Sequence, residues 1–242
     1  MAHPGVVGVA GLSFVAGAVY AGLARHSLRR AVSPDARRAN ALFALWWGAL
    51  AAAMTALGCQ EMLGVFADAD AGVPLALATL TEYVYLLALS VALWGLLAYL
   101  WFLFTGRDAT VGIGVAYAFV FAAACASLSY QGVAGLRVTD FTAEVRYARG
   151  LGPFEPFVLL LFTAAFLLPQ IGAAVGYLSL LPRIEDRAAR RRIVALGVGL
   201  PVWLGATIVA TALDAQHSDA WLVGNQALGL AVALVIAWSQ RA

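Results

Sequence analysis

The chemistry this sequence offers is concentrated in seven side chains: Gln60, Glu61, Glu82, Tyr85, Trp203, Asn225 and Gln226. Glu82 and Tyr85 stand three residues apart, a helical spacing that sends a carboxylate and a phenol from one face. Asn225 and Gln226 bring adjacent amides, each with donors and an acceptor. Trp203 follows Pro201 by two residues, so a bend at the proline turns an indole inward. Groups of this kind hold a small molecule by reversible polar contacts in an otherwise apolar, aromatic-walled pocket. Catalysis is not expected, since no G-x-S-x-G, P-loop or H-E-x-x-H sequence occurs. His3, His26 and His217 are too dispersed to make a metal or haem site.

Membrane helices are the elements that must position these groups. Hydrophobic residues make up 63% of the chain and charged residues 12%, about half the charged share of a soluble domain, so lipid is the solvent. Apolar runs at residues 6–24, 40–63, 80–104, 110–130, 157–180, 193–213 and 221–238 approach or exceed the roughly 20 residues a bilayer core requires. Residues 1–242 are therefore expected to form one all-α domain, a seven-transmembrane-helix bundle with no room for a soluble output domain. No basic stretch precedes the first run, so it is read as retained rather than cleaved.

Every basic residue is an arginine. Twelve of the 15 fall on one side of this topology, and only Arg137, Arg146 and Arg149 on the other. That asymmetry places the N-terminus outside and the C-terminus in the cytoplasm of a multi-pass cell-membrane protein. Positive charge spread over short loops is a topology signal and makes no nucleic-acid surface.

An ionisable or amide side chain in a span is costly unless it faces the bundle interior or water. Here such groups gather in the outer half. Asp214 and His217 lie where the sixth span ends, and the inner half carries little besides Gln170 beside Pro169. Glu155 reads as a helix-start acid, and Ser33-Pro34-Asp35 as a capped start for the second helix. Gly106-Arg107-Asp108 is so short a link that the third and fourth helices must be antiparallel neighbours. Residues 136–147 alternate partly between polar and apolar, which suits a short hairpin or a helical lid. Gly172 and Gly176 have small-xxx-small spacing, which permits tight packing and self-association into a homo-oligomer. Cys59 and Cys125 are expected to be unpaired, buried thiols. Trp101, Trp221 and Tyr130 fit an interfacial belt.

Three short stretches resemble the microbial rhodopsins. Ser33-Pro34-Asp35-Ala36-Arg37-Arg38 is similar to the polar, basic opening of that family's second helix. Glu82-Tyr83-Val84-Tyr85-Leu86 sits where its third helix carries an Arg-Tyr-x-Asp-Trp pattern, and Pro201-Val202-Trp203-Leu204 resembles its sixth-helix proline and tryptophan stretch. The resemblance implies a heptahelical bundle, with the family's retinal-binding lysine falling near Leu230 and its counterion near Gln226. The third-helix proton acceptor falls at Tyr85 and the inner donor near Leu96. No lysine exists in the chain, and a permanently protonated guanidinium cannot form a Schiff base with an aldehyde. Covalent retinal and the pumping that depends on it are therefore excluded.

The expected function is a retinal-free, opsin-like membrane receptor or binding module with an outward-facing pocket. It would hold a small apolar or amphipathic ligand, such as a retinoid or carotenoid, without a covalent bond. Its signal would pass to a cytoplasmic or membrane partner docked on the basic segment 182–192. A second reading is a transporter or channel for protons, cations or a small solute, with Glu61, Glu82 and Asp214 as its vestibule; the bare inner half weighs against it. A third, an enzyme acting on lipid or isoprenoid, lacks a catalytic constellation.

Overall fold

The computed structural model describes residues 4–30, 34–66, 72–212 and 218–239. Its long helices are α1 (Pro4–Arg29), α2 (Pro34–Phe66), α3 (Gly72–Thr105), α4 (Thr110–Gln131), α5 (Glu155–Leu180), α6 (Arg187–Ala212) and α7 (Asp219–Ser239). Among the described residues, six of these are long and apolar enough to cross a membrane, α6 being the one not counted. The architecture is thus all-α with the helices of a multi-pass membrane protein, plus one small β-hairpin. Ser33, Asp214 and His217, singled out in the sequence, lie outside the described residues.

The helices are apolar all round instead of along one stripe, which marks them as elements solvated by lipid. Val111, Val115 and Phe119 on α4, and Leu160, Leu168 and Val175 on α5, point away from the bundle. Only 17% of the apolar window of α4, α5 or α7 is buried, against 61% for α2, so α2 lies deepest. Each helix packs on its neighbours in sequence, α7 returns to α1, and α3 also meets α5.

Aromatic side chains fill the middle of this ring. Tyr20 and Trp47 have ring centroids 5.4 Å apart, Trp46 and Trp47 lie 4.2 Å apart, and Phe43 meets Tyr99 at 5.0 Å. Such pairs add about 0.5–1.5 kcal/mol each beyond the area they bury. Helices α5 and α6 continue unbroken through Pro169 and Pro201. Gln170, beside Pro169, is buried.

Local chemistry sets the ends. The Gly106 amide bonds the Phe102 carbonyl at 2.9 Å and closes α3. Asp108 accepts the Thr110 amide at 2.9 Å, and Arg38 of α2 reaches Asp108 at 2.6 Å, so the α3–α4 link is tied to a third helix. The Thr110 hydroxyl and amide, then the Arg38 guanidinium, hold the Asp108 carboxyl below the usual carboxylate range. Both ends of the Arg38–Asp108 ion pair are exposed, which makes it a weak fastener.

Two expectations about small residues change. A methyl group on Gly176 would overlap the Phe104 ring, so this glycine admits α3 against α5, whereas Gly172 faces open space and the two form no common seam. Cys59 and Cys125 are free thiols, but Cys59 is exposed and Cys125 only half-buried. When every face of a helix is apolar, composition cannot say which face turns inward.

The segment after α4 is a hairpin rather than a helical lid. Strand β1 (Val133–Val138) pairs antiparallel with β2 (Ala143–Tyr147), with Val138 opposite Ala143 and Arg137 opposite Glu144. The Thr139 hydroxyl accepts the amides of Phe141 and Thr142 at 3.3 and 3.0 Å, which shapes the turn. Val133, Val138, Val145 and Tyr147 are the strand-favouring side chains of the pair.

Candidate functional site

The hairpin folds back over one end of the bundle, where backbone and side chains from three helices fasten it. Gln60 and Glu61 on α2 grip a single residue of β2. The Ala143 amide donates to Glu61 Oε2 at 2.6 Å, and Gln60 Nε2 donates to the Ala143 carbonyl at 3.3 Å. One residue thus finds partners for both of its backbone polar groups in adjacent side chains of a helix, satisfying groups that burial would otherwise leave costly. Beside it, a Cβ on Gly64 would overlap the Ala143 methyl, so α2 and β2 meet at a distance only glycine allows. Gly5 at the start of α1 has the same relation to Asp140 at the turn.

The turn is tied to α7. Thr139 and Thr142 both donate to Asp219 Oδ1, at 2.8 and 3.2 Å, and Thr142 is fully buried. Asp219 stands in the first turn of α7, where its charge also faces the positive end of the helix dipole. From α3, Glu82 Oε1 receives the Tyr147 hydroxyl at 3.4 Å. Burial, followed by the adjacent Glu82 carboxyl, raises the Tyr147 phenol above its ordinary value and keeps it a donor.

Beneath this cap is a cavity of about 330 Å³, within the usual size range of small-molecule sites. Gln60, Glu61, Glu82, Tyr85, Asn225 and Gln226 all line it, so six of the seven side chains chosen from the sequence converge there. The seventh, Trp203, stands behind the wall and donates from Nε1 to Asn225 Oδ1 at 2.7 Å. Gln226 is steadied by Ser13 of α1, whose hydroxyl donates to its Oε1 at 3.0 Å. The Asn225 and Gln226 carbonyl oxygens are thereby engaged.

The wall is more polar than the aromatic pocket expected from sequence. Three carboxyl groups, Glu61, Glu82 and Glu144, border it, and among the described residues no basic side chain lines it. Tyr85 and Tyr147 add phenols, while Leu57, Val145 and Leu222 supply apolar surface. Among the described residues, no three His, Cys, Asp or Glu side chains gather as a metal ion would require.

Glu144, Tyr147, Thr142 and Asp219 were missed in sequence because the hairpin's docking was not foreseeable. The alternation of residues 143–147 was the one signal that could have placed Glu144 and Tyr147 on a strand. Deeper in the bundle, Leu230 packs against the aromatic core, and Gly229 is covered by the Trp203 indole and the Tyr20 hydroxyl, both 3.4 Å from where a Cβ would stand. Leu96, where the inner proton donor of the rhodopsins would fall, is buried at 1% exposure.

Compared with known proteins, the chain matches no protein-family model and no curated protein.

Proposed function

We propose that this chain is a seven-span cell-membrane receptor or binding module whose hairpin-capped cavity takes a small organic cation. In this reading α6 also crosses the membrane and brings the spans to seven, the N-terminus and hairpin lie outside, and the C-terminus and most arginines lie in the cytoplasm. The bundle keeps the opsin-like order of helices without covalent retinal. The observation that carries the ligand class is the acceptor-rich wall, with three carboxyl groups and, among the described residues, no basic side chain. A bound ammonium or guanidinium would stabilise the ionised form of those carboxyls and use the phenol oxygens as further acceptors. A retinoid or carotenoid fits the same wall less well, because it would leave carboxyl and amide groups desolvated without hydrogen bonds.

A cavity joined to α2, α3 and α7, and to α6 through Trp203, is placed to change helix packing when filled. A signalling partner that reads this change would meet the cytoplasmic face beside the basic segment 182–192. Transport of a proton, cation or solute is the second reading, drawing on the same carboxyls. The aromatic core of Tyr20, Phe43, Trp46 and Trp47 below the cavity favours binding over passage.

The test is to purify the protein gently from its native membrane and identify retained small molecules by mass spectrometry. An amine- or guanidinium-bearing compound, displaced on adding excess of the same compound, is the expected outcome; a neutral hydrocarbon ligand would overturn the assignment. Solute flux in proteoliposomes that Glu82→Gln abolishes would favour transport instead.

A further inference from the structure

At the opposite end of the bundle from the hairpin, α6 and α7 enclose a groove of about 710 Å³. It is lined by Arg187, Arg190 and Arg191 and by Val194, Val235 and Trp238, among others. The spacing of three, four and seven residues from Arg187 to Arg190, Arg191 and Val194 sets these side chains along one helical stripe, charged first and apolar after. Arg191 lies over the Trp238 ring, with its guanidinium carbon 5.7 Å from the centroid.

That stripe is poorly arranged for a helix left to itself. Like charges three and four residues apart repel, and cations in the opening turns oppose the helix dipole. Nearby Asp186 uses its carboxylate to accept the Ala189 amide at 2.6 Å, and among the described residues no carboxylate forms an ion pair with Arg187, Arg190 or Arg191. Arg30, just past the end of α1, has its pKa lowered first by burial and then by the charge of Arg192, which places a further guanidinium near this end. An anion with an attached apolar tail would answer both halves of the groove.

We infer that this groove is a binding site for an anionic phospholipid. Its phosphate sits among Arg187, Arg190 and Arg191, and an acyl chain lies along Val194, Val235 and Trp238. Basic pockets between helices at a membrane face have this chemistry. The inference depends on the helices spanning a bilayer and not on the identity of any ligand at the hairpin end.

Binding can be read by native mass spectrometry of delipidated protein titrated with phosphatidylglycerol, phosphatidylcholine or inorganic phosphate. Phosphatidylglycerol should bind at least about tenfold more tightly than phosphatidylcholine, and the triple variant Arg187→Gln, Arg190→Gln, Arg191→Gln should abolish that preference. Arg107→Gln, a change in the α3–α4 link, should leave it intact. Val235→Trp keeps all three arginines but fills the apolar wall, and should weaken phosphatidylglycerol binding; this serves if the triple variant fails to fold. Equal binding of the two lipids, displacement of phosphatidylglycerol by equimolar inorganic phosphate, or unaltered binding in Val235→Trp would overturn the inference.

Discussion

Replacing Glu61 with leucine removes the acceptor of the Ala143 amide while keeping a side chain of similar bulk. Glu61 is only 3% exposed and its Oε2 lies 2.6 Å from that nitrogen, so the stranded donor cannot reach water unless the hairpin lifts. A buried donor deprived of its partner costs about 1–3 kcal/mol. The Gln60 contact and the two threonine bonds to Asp219 persist, so the hairpin loosens instead of detaching. The population with β2 lifted should rise about 5- to 150-fold, the factor equivalent to that energy. Hydrogen–deuterium exchange in nanodiscs reads this directly: peptides covering 133–147 lose protection by that factor, while α4 and α5 keep theirs. Glu61→Gln retains an amide oxygen that can accept and should preserve most of the protection. Wild-type exchange at Ala143 in a folded Glu61→Leu protein would refute the clamp.

The close approach at Gly64 predicts that Gly64→Leu destabilises the protein by about 1–3 kcal/mol through overpacking against Ala143, whereas Gly172→Leu, facing open space, changes stability by no more than about 0.5 kcal/mol; thermal unfolding in detergent compares them. Asp219→Ala removes the acceptor shared by Thr139 and Thr142 and should cost about 1–3 kcal/mol, seen as faster exchange of the turn amides with little change in β2 at Ala143. Trp203→Phe cannot donate to Asn225; it should cost about 0.5–1.5 kcal/mol in the same unfolding assay and weaken cation binding without abolishing it.

The helices were readable because lipid imposes a length and a composition on anything that crosses it. The clearest boundary error was α3, which begins at Gly72 rather than near residue 80. Pro74 lies in its opening turn, where a missing amide hydrogen costs nothing. The cavity side chains were readable for a related reason: Glu61, Glu82 and Gln226 are expensive anywhere but the interior, so their presence in apolar runs points inward. Cys59 carries no such penalty, and its outward face could not be read. What closes the cavity was equally hidden. The bonds from Ala143 to Glu61 and from Thr139 to Asp219 join positions 82 and 80 residues apart, and no local pattern encodes such pairs. A backbone amide, moreover, has no residue type to betray it.

The charge of the cavity can be separated from its shape by one comparison. A small primary ammonium compound that fits about 330 Å³ and its neutral, near-isosteric hydroxyl analogue are titrated by calorimetry into the wild-type protein and into Glu82→Gln. The expected result is a preference for the ammonium of at least about tenfold, or about 1.4 kcal/mol, that shrinks markedly in Glu82→Gln. Equal affinity for the two compounds, or tighter binding of the neutral one, would contradict a cation site beneath the hairpin.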